Sequence, residues 1–277
     1  MKKIQLLVSN NLRQLFSFLA LFLLFGGAFC TNSLDNGGSQ SSTGAGQIEF
    51  NLKPKVLFGN GSDISEVQVI TGEIPDGSNV EFSLTTSNLP DILEGCLLNK
   101  GTTIVNGEVS ANYLTGLGGP AIVNVSVTIT TSDGKKESRF DTLVLRGVSI
   151  TPPQDTDVTT NPTDSPNSVF VPLQFQTTGI PTGTTVNFSL SRPDLGKLNP
   201  TSTTVGGSED SGTATTEYDT INNTGGTQVI TAKVILPNPA DVDPSCPDVS
   251  IGDRTIQAIV TITQSVPQPT PAPSPGP

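Results

Sequence analysis

Apolar and polar residues alternate along most of the chain from residue 48 to residue 265, and the alternation comes round twice. Ile74-Pro75-Asp76-Gly77 is followed by Val80, Phe82 and Leu84 at every second position, and 106 residues on Ile180-Pro181-Thr182-Gly183 is followed by Val186, Phe188 and Leu190. A period of two places those side chains on one face of a strand, and the Pro/Gly pair before each run is a turn signal. Self-similarity of this kind predicts two copies of one small β unit.

Further strands in the first copy are predicted at 48–53, 67–70, 107–114, 121–131 and 138–146. The segment 88–101 reads as irregular, with room for one edge strand, and Ser132-Asp133-Gly134 is a hairpin turn. The second copy follows the same plan, with strands predicted at 148–151, around Val171, Leu173 and Phe175, at 212–218, at 230–236 and at 256–262. The only two tyrosines, Tyr113 and Tyr218, fall at equivalent places, and Val123, Val125, Val127 and Ile129 map onto Ile230, Ala232, Val234 and Leu236. About seven strands in roughly 100 residues is the spacing of a sandwich. Two segments stand out as long polar loops, 152–168 and 237–253. The expected organisation is 1–29 signal peptide, 30–46 flexible tether, 47–147 first sandwich, 148–265 second sandwich and 266–277 Pro-rich tail. Proline at every second position in that tail favours a solvated, extended polyproline spacer.

Composition narrows the chemistry. The 277 residues contain no His and no Trp, and the net charge is −11. Without imidazole, no His-based triad and no His-ligated metal site is available. An acidic body with scattered lysines argues against nucleic acid as a partner. No Gly-x-Ser-x-Gly elbow or phosphate-cradling glycine loop occurs, and the acids fall in loops or, like Glu81, on outward strand positions. Asp155-x-Asp157 and Asp241-x-Asp243 supply too few oxygens for calcium, which takes six to eight. The expectation is a non-enzyme with no catalytic residues, no metal and no cofactor.

The N-terminus and the three cysteines speak to location. Lys2, Lys3 and Arg13 precede an apolar run from Leu15 to Phe29, the length of a secretory h-region and short for a membrane span. Two exits are open: cleavage after Ala28, or processing at Cys30 with lipid on that residue. Gly27-Ala28-Phe29-Cys30 followed by a Ser/Gly/Asn tract resembles a bacterial lipoprotein signal, which would imply membrane attachment through Cys30 at the outer membrane or cell surface. The alternative is a secreted or periplasmic protein. With Cys30 set aside, Cys96 and Cys246 remain. If strands run alternately up and down, Cys96 follows a strand ending at the pole that faces the second copy, and Cys246 lies in a loop at the pole facing the first. The hypothesis is a disulfide across the junction, against two independent thiols.

Each repeat also resembles a bacterial immunoglobulin-like (Big) domain of the invasin/intimin type. The residues that carry this are Gly72, Pro75, Gly77, Val80, Phe82 and Ser83, then Gly107, Val109, Tyr113 and Gly119, with Gly179, Pro181, Gly183, Val186, Phe188, Ser189, Gly212, Tyr218 and Gly226 in the second copy. The resemblance implies an all-β chain of two tandem immunoglobulin-like β-sandwiches. It also implies extracellular spacer or adhesive modules with a surface glycan or protein ligand. Three readings follow: a surface-anchored lipoprotein of structural or adhesive type, a ligand- or glycan-binding module acting through loops 152–168 and 237–253, or a non-catalytic accessory domain of an extracellular enzyme complex.

Overall fold

The computed structural model describes residues 48–160, 169–220 and 225–267. The expected signal peptide, the tether, Cys30, residues 161–168 and the tail from residue 268 lie outside them. Nearly every described element is a strand.

The first repeat contributes β1 (Ile48–Lys53), β2 (Val56–Phe58), β3 (Ile64–Thr71), β4 (Asn79–Ser87), β5 (Gly95–Leu98), β6 (Glu108–Thr115), β7 (Ala121–Thr130) and β8 (Lys136–Arg146). They form two sheets, with strand orders β1-β3-β6-β5 and β2-β8-β7-β4. The second repeat contributes β9 (Ser149–Thr151), β10 (Thr156–Thr159), β11 (Phe170–Thr178), β12 (Thr185–Leu190), β13 (Gly196–Asn199), β14 (Ser202–Thr204), β15 (Gly206–Gly207), β16 (Gly212–Thr220), β17 (Gly226–Ile235) and β18 (Thr255–Ser265). Its sheets run β9-β11-β16-β13 and β10-β18-β17-β12-β14, so the two copies match strand for strand apart from the added β14 and β15. This is the sheet division of an immunoglobulin-like sandwich, A-B-E-D against C-F-G. In each copy the first strand is split. β1 pairs antiparallel in one sheet and β2 runs parallel to β8 in the other, as β9 and β10 do with β11 and β18. Pro54 and Pro152-Pro153 stand at the crossovers, where no ladder donor is required.

The duplicated turn is also the same object twice. Gly77 and Gly183 take φ of 83° and 88°, a region open to glycine at little cost. Ser78 N donates to Pro75 O and Thr184 N to Pro181 O, and the glycine N–H groups donate to Ile104 O and Val205 O. Val80 and Phe82 are buried in the first core, and Val186 and Phe188 in the second.

Leu84 and Leu190, expected on the inner faces, are instead only half-buried, packed against the core margin at the same strand position in both copies. The segment 152–168 is not wholly a loop, because β10 occupies part of it. β2 and the strands between residues 196 and 207 were not anticipated; each is at most four residues long, too short to show a period. The segment 237–253 carries one helical turn, Pro239–Val242, capped by the Asn238 side chain.

The cores are complementary in volume. In the first, Val69 faces Val109 across β3 and β6; in the second, the corresponding pair is Phe175 and Ala214. In the second core a larger side chain on one strand is matched by a smaller one on its neighbour, the kind of exchange that conserves volume. Phe175 meets Phe188 with ring centroids 5.4 Å apart.

Candidate functional site: the junction between the two sandwiches

Only Gly147 and Val148 separate β8 from β9, so the facing poles meet directly. Leu117, from the turn after β6, is 1% exposed and belongs to the core cluster of the second sandwich, with Leu93 packed against that cluster. Phe58 at the end of β2 is buried against Gly179, where a Cβ would lie 2.5 Å from its ring. A larger residue at 179 would force Phe58 to shift and would itself be strained at a φ of 71°.

Cys96 and Cys246 are joined by a disulfide, with Cα atoms 5.5 Å apart and a sequence separation of 150. Cys96 lies on β5, the edge strand that 88–101 had room for. Cys96, Leu98, Leu114 and Cys246 form a buried apolar cluster of their own. The sulfur bridge therefore sits within a packed interface. A cross-link of this span stabilises mainly by restricting the unfolded chain, typically by about 2–5 kcal/mol.

Polar contacts complete the junction. Asn60 is fully buried in the turn between β2 and β3. Its Oδ1 accepts from Ser62 N and Asp63 N, and its Nδ2 donates to Asp63 Oδ1 at 2.8 Å and to Glu209 Oε1 of the second sandwich. Asp63 Oδ2 accepts from Phe58 N at 3.0 Å, and Gly179 N donates to Glu209 O at 2.8 Å. One amide nitrogen thus serves two carboxyl groups, one from each sandwich. Burial, the Asp63 charge and a hydrogen bond with Asp63 push the Glu209 carboxyl up to about 7; Asn60 opposes the shift and Asp210 adds to it. Next to this pair Arg146 Nη1 contacts Asp210 Oδ1 at 2.6 Å, and its guanidinium lies 4.3 Å from the Phe58 ring centroid.

The remaining expected residues have structural places. Tyr113 and Tyr218 are fully buried; Tyr113 OH donates to Glu94 O at 2.6 Å, and Gln264 Nε2 donates to Tyr218 OH at 2.7 Å. Asp155 accepts from Thr261 N and so ties its segment to β18, and Asp243 accepts from Ser245 N within its own loop. Among the described residues no three His, Cys, Asp or Glu side chains converge as a metal site would need. In the segment 237–253, Asn238, Cys246 and Val249 are buried, and Val242 and Ile251 remain exposed.

Sequence comparison matches the chain to no protein family and to no curated protein. Solved structures are similar in fold. The D00-D0 domain of intimin is 12% identical over 79% of this chain and all of that one, with a TM-score of 0.30. Invasin, described as a bacterial integrin-binding protein, is 14% identical over 79% of this chain and 40% of its own length, at a TM-score of 0.29. A bacterial ice-binding adhesin is 13% identical over 79% of this chain and 64% of its own, at 0.36. Likeness at this level carries no argument of its own, and the fold assignment stands on strand order and register. The chain is a tandem pair of immunoglobulin-like β-sandwiches.

Proposed function

We propose that the protein is an exported, surface-anchored spacer of structural or adhesive type, held to the membrane by lipid on Cys30. Residues 30–46 act as the tether, the two sandwiches as a fixed-length projecting body, and the Pro-rich segment 266–277 as a distal extension. One observation carries this reading: a two-residue link, a shared core residue in Leu117 and a disulfide tie the sandwiches into one unit. A two-domain binder that closes on its ligand needs a wide hinge, whereas the two-residue link and the disulfide restrict these sandwiches to small changes of angle. The oxidising compartment that a structural disulfide calls for accords with export. The test is palmitate labelling of cells expressing the full chain, with protease shaving of intact cells. Labelled, shaving-sensitive protein in the wild type and loss of label in Cys30→Ala are expected. An unlabelled wild-type protein released into the medium would overturn the anchored reading.

A further inference from the structure

The convergence of Asp63 and Glu209 on Asn60 is an arrangement that simple structural cement does not call for. Two carboxyl groups from different sandwiches share the Nδ2 of a buried asparagine. Two ionised carboxylates drawn to one nitrogen repel, whereas one proton between them turns repulsion into a hydrogen bond. The Asn60 side chain is fixed by four donors, namely Ser62 N, Ser62 Oγ, Asp63 N and Thr115 Oγ1, so it does not rotate to relieve the clash.

We propose that Asp63 and Glu209 form a proton-controlled latch at the junction, which closes one side of the interface when the pair holds a proton and loosens it when the proton is lost. The disulfide and the Gly147-Val148 link keep the sandwiches joined in both states, so the change is one of angle and stiffness.

The charged groups facing Glu209 are few. Asp63 comes from the turn between β2 and β3, and Asp210 neighbours Glu209 on its own turn. Arg146, at the end of β8, is engaged by Asp210. The Arg146 guanidinium is thus held by Asp210 instead of being aimed at the pair. The sign follows. The closed form raises the Glu209 carboxyl from 4.5 to about 7, so it binds a proton more tightly than the open form. Closure is favoured below about 4.5, weakens as the pH climbs through the interval, and is weakest above 7. This inference goes beyond surface display and holds whether or not Cys30 carries lipid.

The test uses the oxidised protein and carboxyl-carbon NMR, together with residual dipolar couplings fitted separately to each sandwich at about pH 5.5 and about pH 8.5. A wild-type Glu209 that titrates near 7 is expected, and in Asp63→Asn it should move down while staying above its ordinary value, because burial, the largest cause, remains. The two sandwiches should share one alignment at the lower pH and diverge at the higher. Glu209→Gln, which keeps an acceptor for Asn60 and gains a donor for Asp63, should share one alignment at both. The proposal is overturned by a wild-type Glu209 titrating at its ordinary value, by wild-type alignments that do not change with pH, or by Glu209→Gln diverging as the wild type does. The wild-type measurements decide the matter even where a variant fails to fold.

Discussion

Cys96 and Lys197 occupy the same outward position on the duplicated edge strand. Each follows the glycine, Gly95 or Gly196, that lies beside the buried tyrosine of the adjoining strand. Around Lys197 the face is open, and its ammonium lies 3.4 Å from Asp219. Around Cys96 the corresponding neighbour is the fully buried Leu114, and the second sandwich supplies Cys246 as cover. All four residues of β5 are buried, whereas β13 alternates buried and exposed. Duplication set the position, and the covering of one face decided which chemistry it holds.

Reduction of the Cys96–Cys246 bond, or Cys96→Ser with Cys246→Ser, should lower unfolding free energy by about 2–5 kcal/mol without dissolving either sandwich. Thermal unfolding with and without reductant measures this. Mass analysis of the unreduced protein should find neither of these two thiols alkylatable.

The pair Phe175 and Ala214 stands where the first copy has Val69 and Val109. Phe175→Val should leave a void and cost about 1–3 kcal/mol, and Ala214→Val should overpack at a similar cost. The double variant should lose less than the sum, with a coupling of at least about 0.5 kcal/mol in a denaturant cycle. Strict additivity would mean that the two sites do not share one space.

Gly196→Ala would bring a Cβ within 2.5 Å of the Tyr218 ring, and Gly95→Ala would bring one within 2.3 Å of Leu114 O. Both should destabilise by about 1–3 kcal/mol. Gly206, with nothing within 4 Å of an added Cβ, serves as the control and should tolerate alanine.

Much of this was legible in the chain. The repeated Pro-x-Gly turn, the alternating runs and the paired tyrosines point to two like sandwiches because burial on one face imposes a period of two. One signal inside 88–101, which reads as irregular with room for an edge strand, goes unread there. Gly95-Cys96-Leu97-Leu98 puts apolar residues on both faces where Gly196-Lys197-Leu198-Asn199 alternates, and a strand apolar on both faces is covered on both. Asp63 and Glu209 gave no such signal. Polar turn residues are ordinarily solvated, and these two meet only because the poles dock as they do. β2 and β10 were hidden for another reason: each is set by pairing to the last strand of its own copy, a contact between the two ends of a repeat.

The two tyrosines give a pH prediction with a definite sign. Burial pushes Tyr218 up to about 12, and Tyr113 well above its ordinary value. The folded state keeps both phenols neutral, whereas the unfolded chain releases their protons from about pH 10. Stability contributed by the neutral phenols is intact below that pH and is lost as the solution grows more alkaline. Ultraviolet titration should show phenolate appearing together with loss of tertiary structure, not before it.

A pull applied at the two ends of this chain would not reach most of it. The bond between Cys96 and Cys246 short-circuits the 150-residue span between them, so tension would run along the residues before Cys96 and after Cys246. Strands β6 to β17 could lose their order under load and still add nothing to the distance between the ends. A molecule so wired has a maximum reach set by covalent bonds, whatever the strength of its sheets.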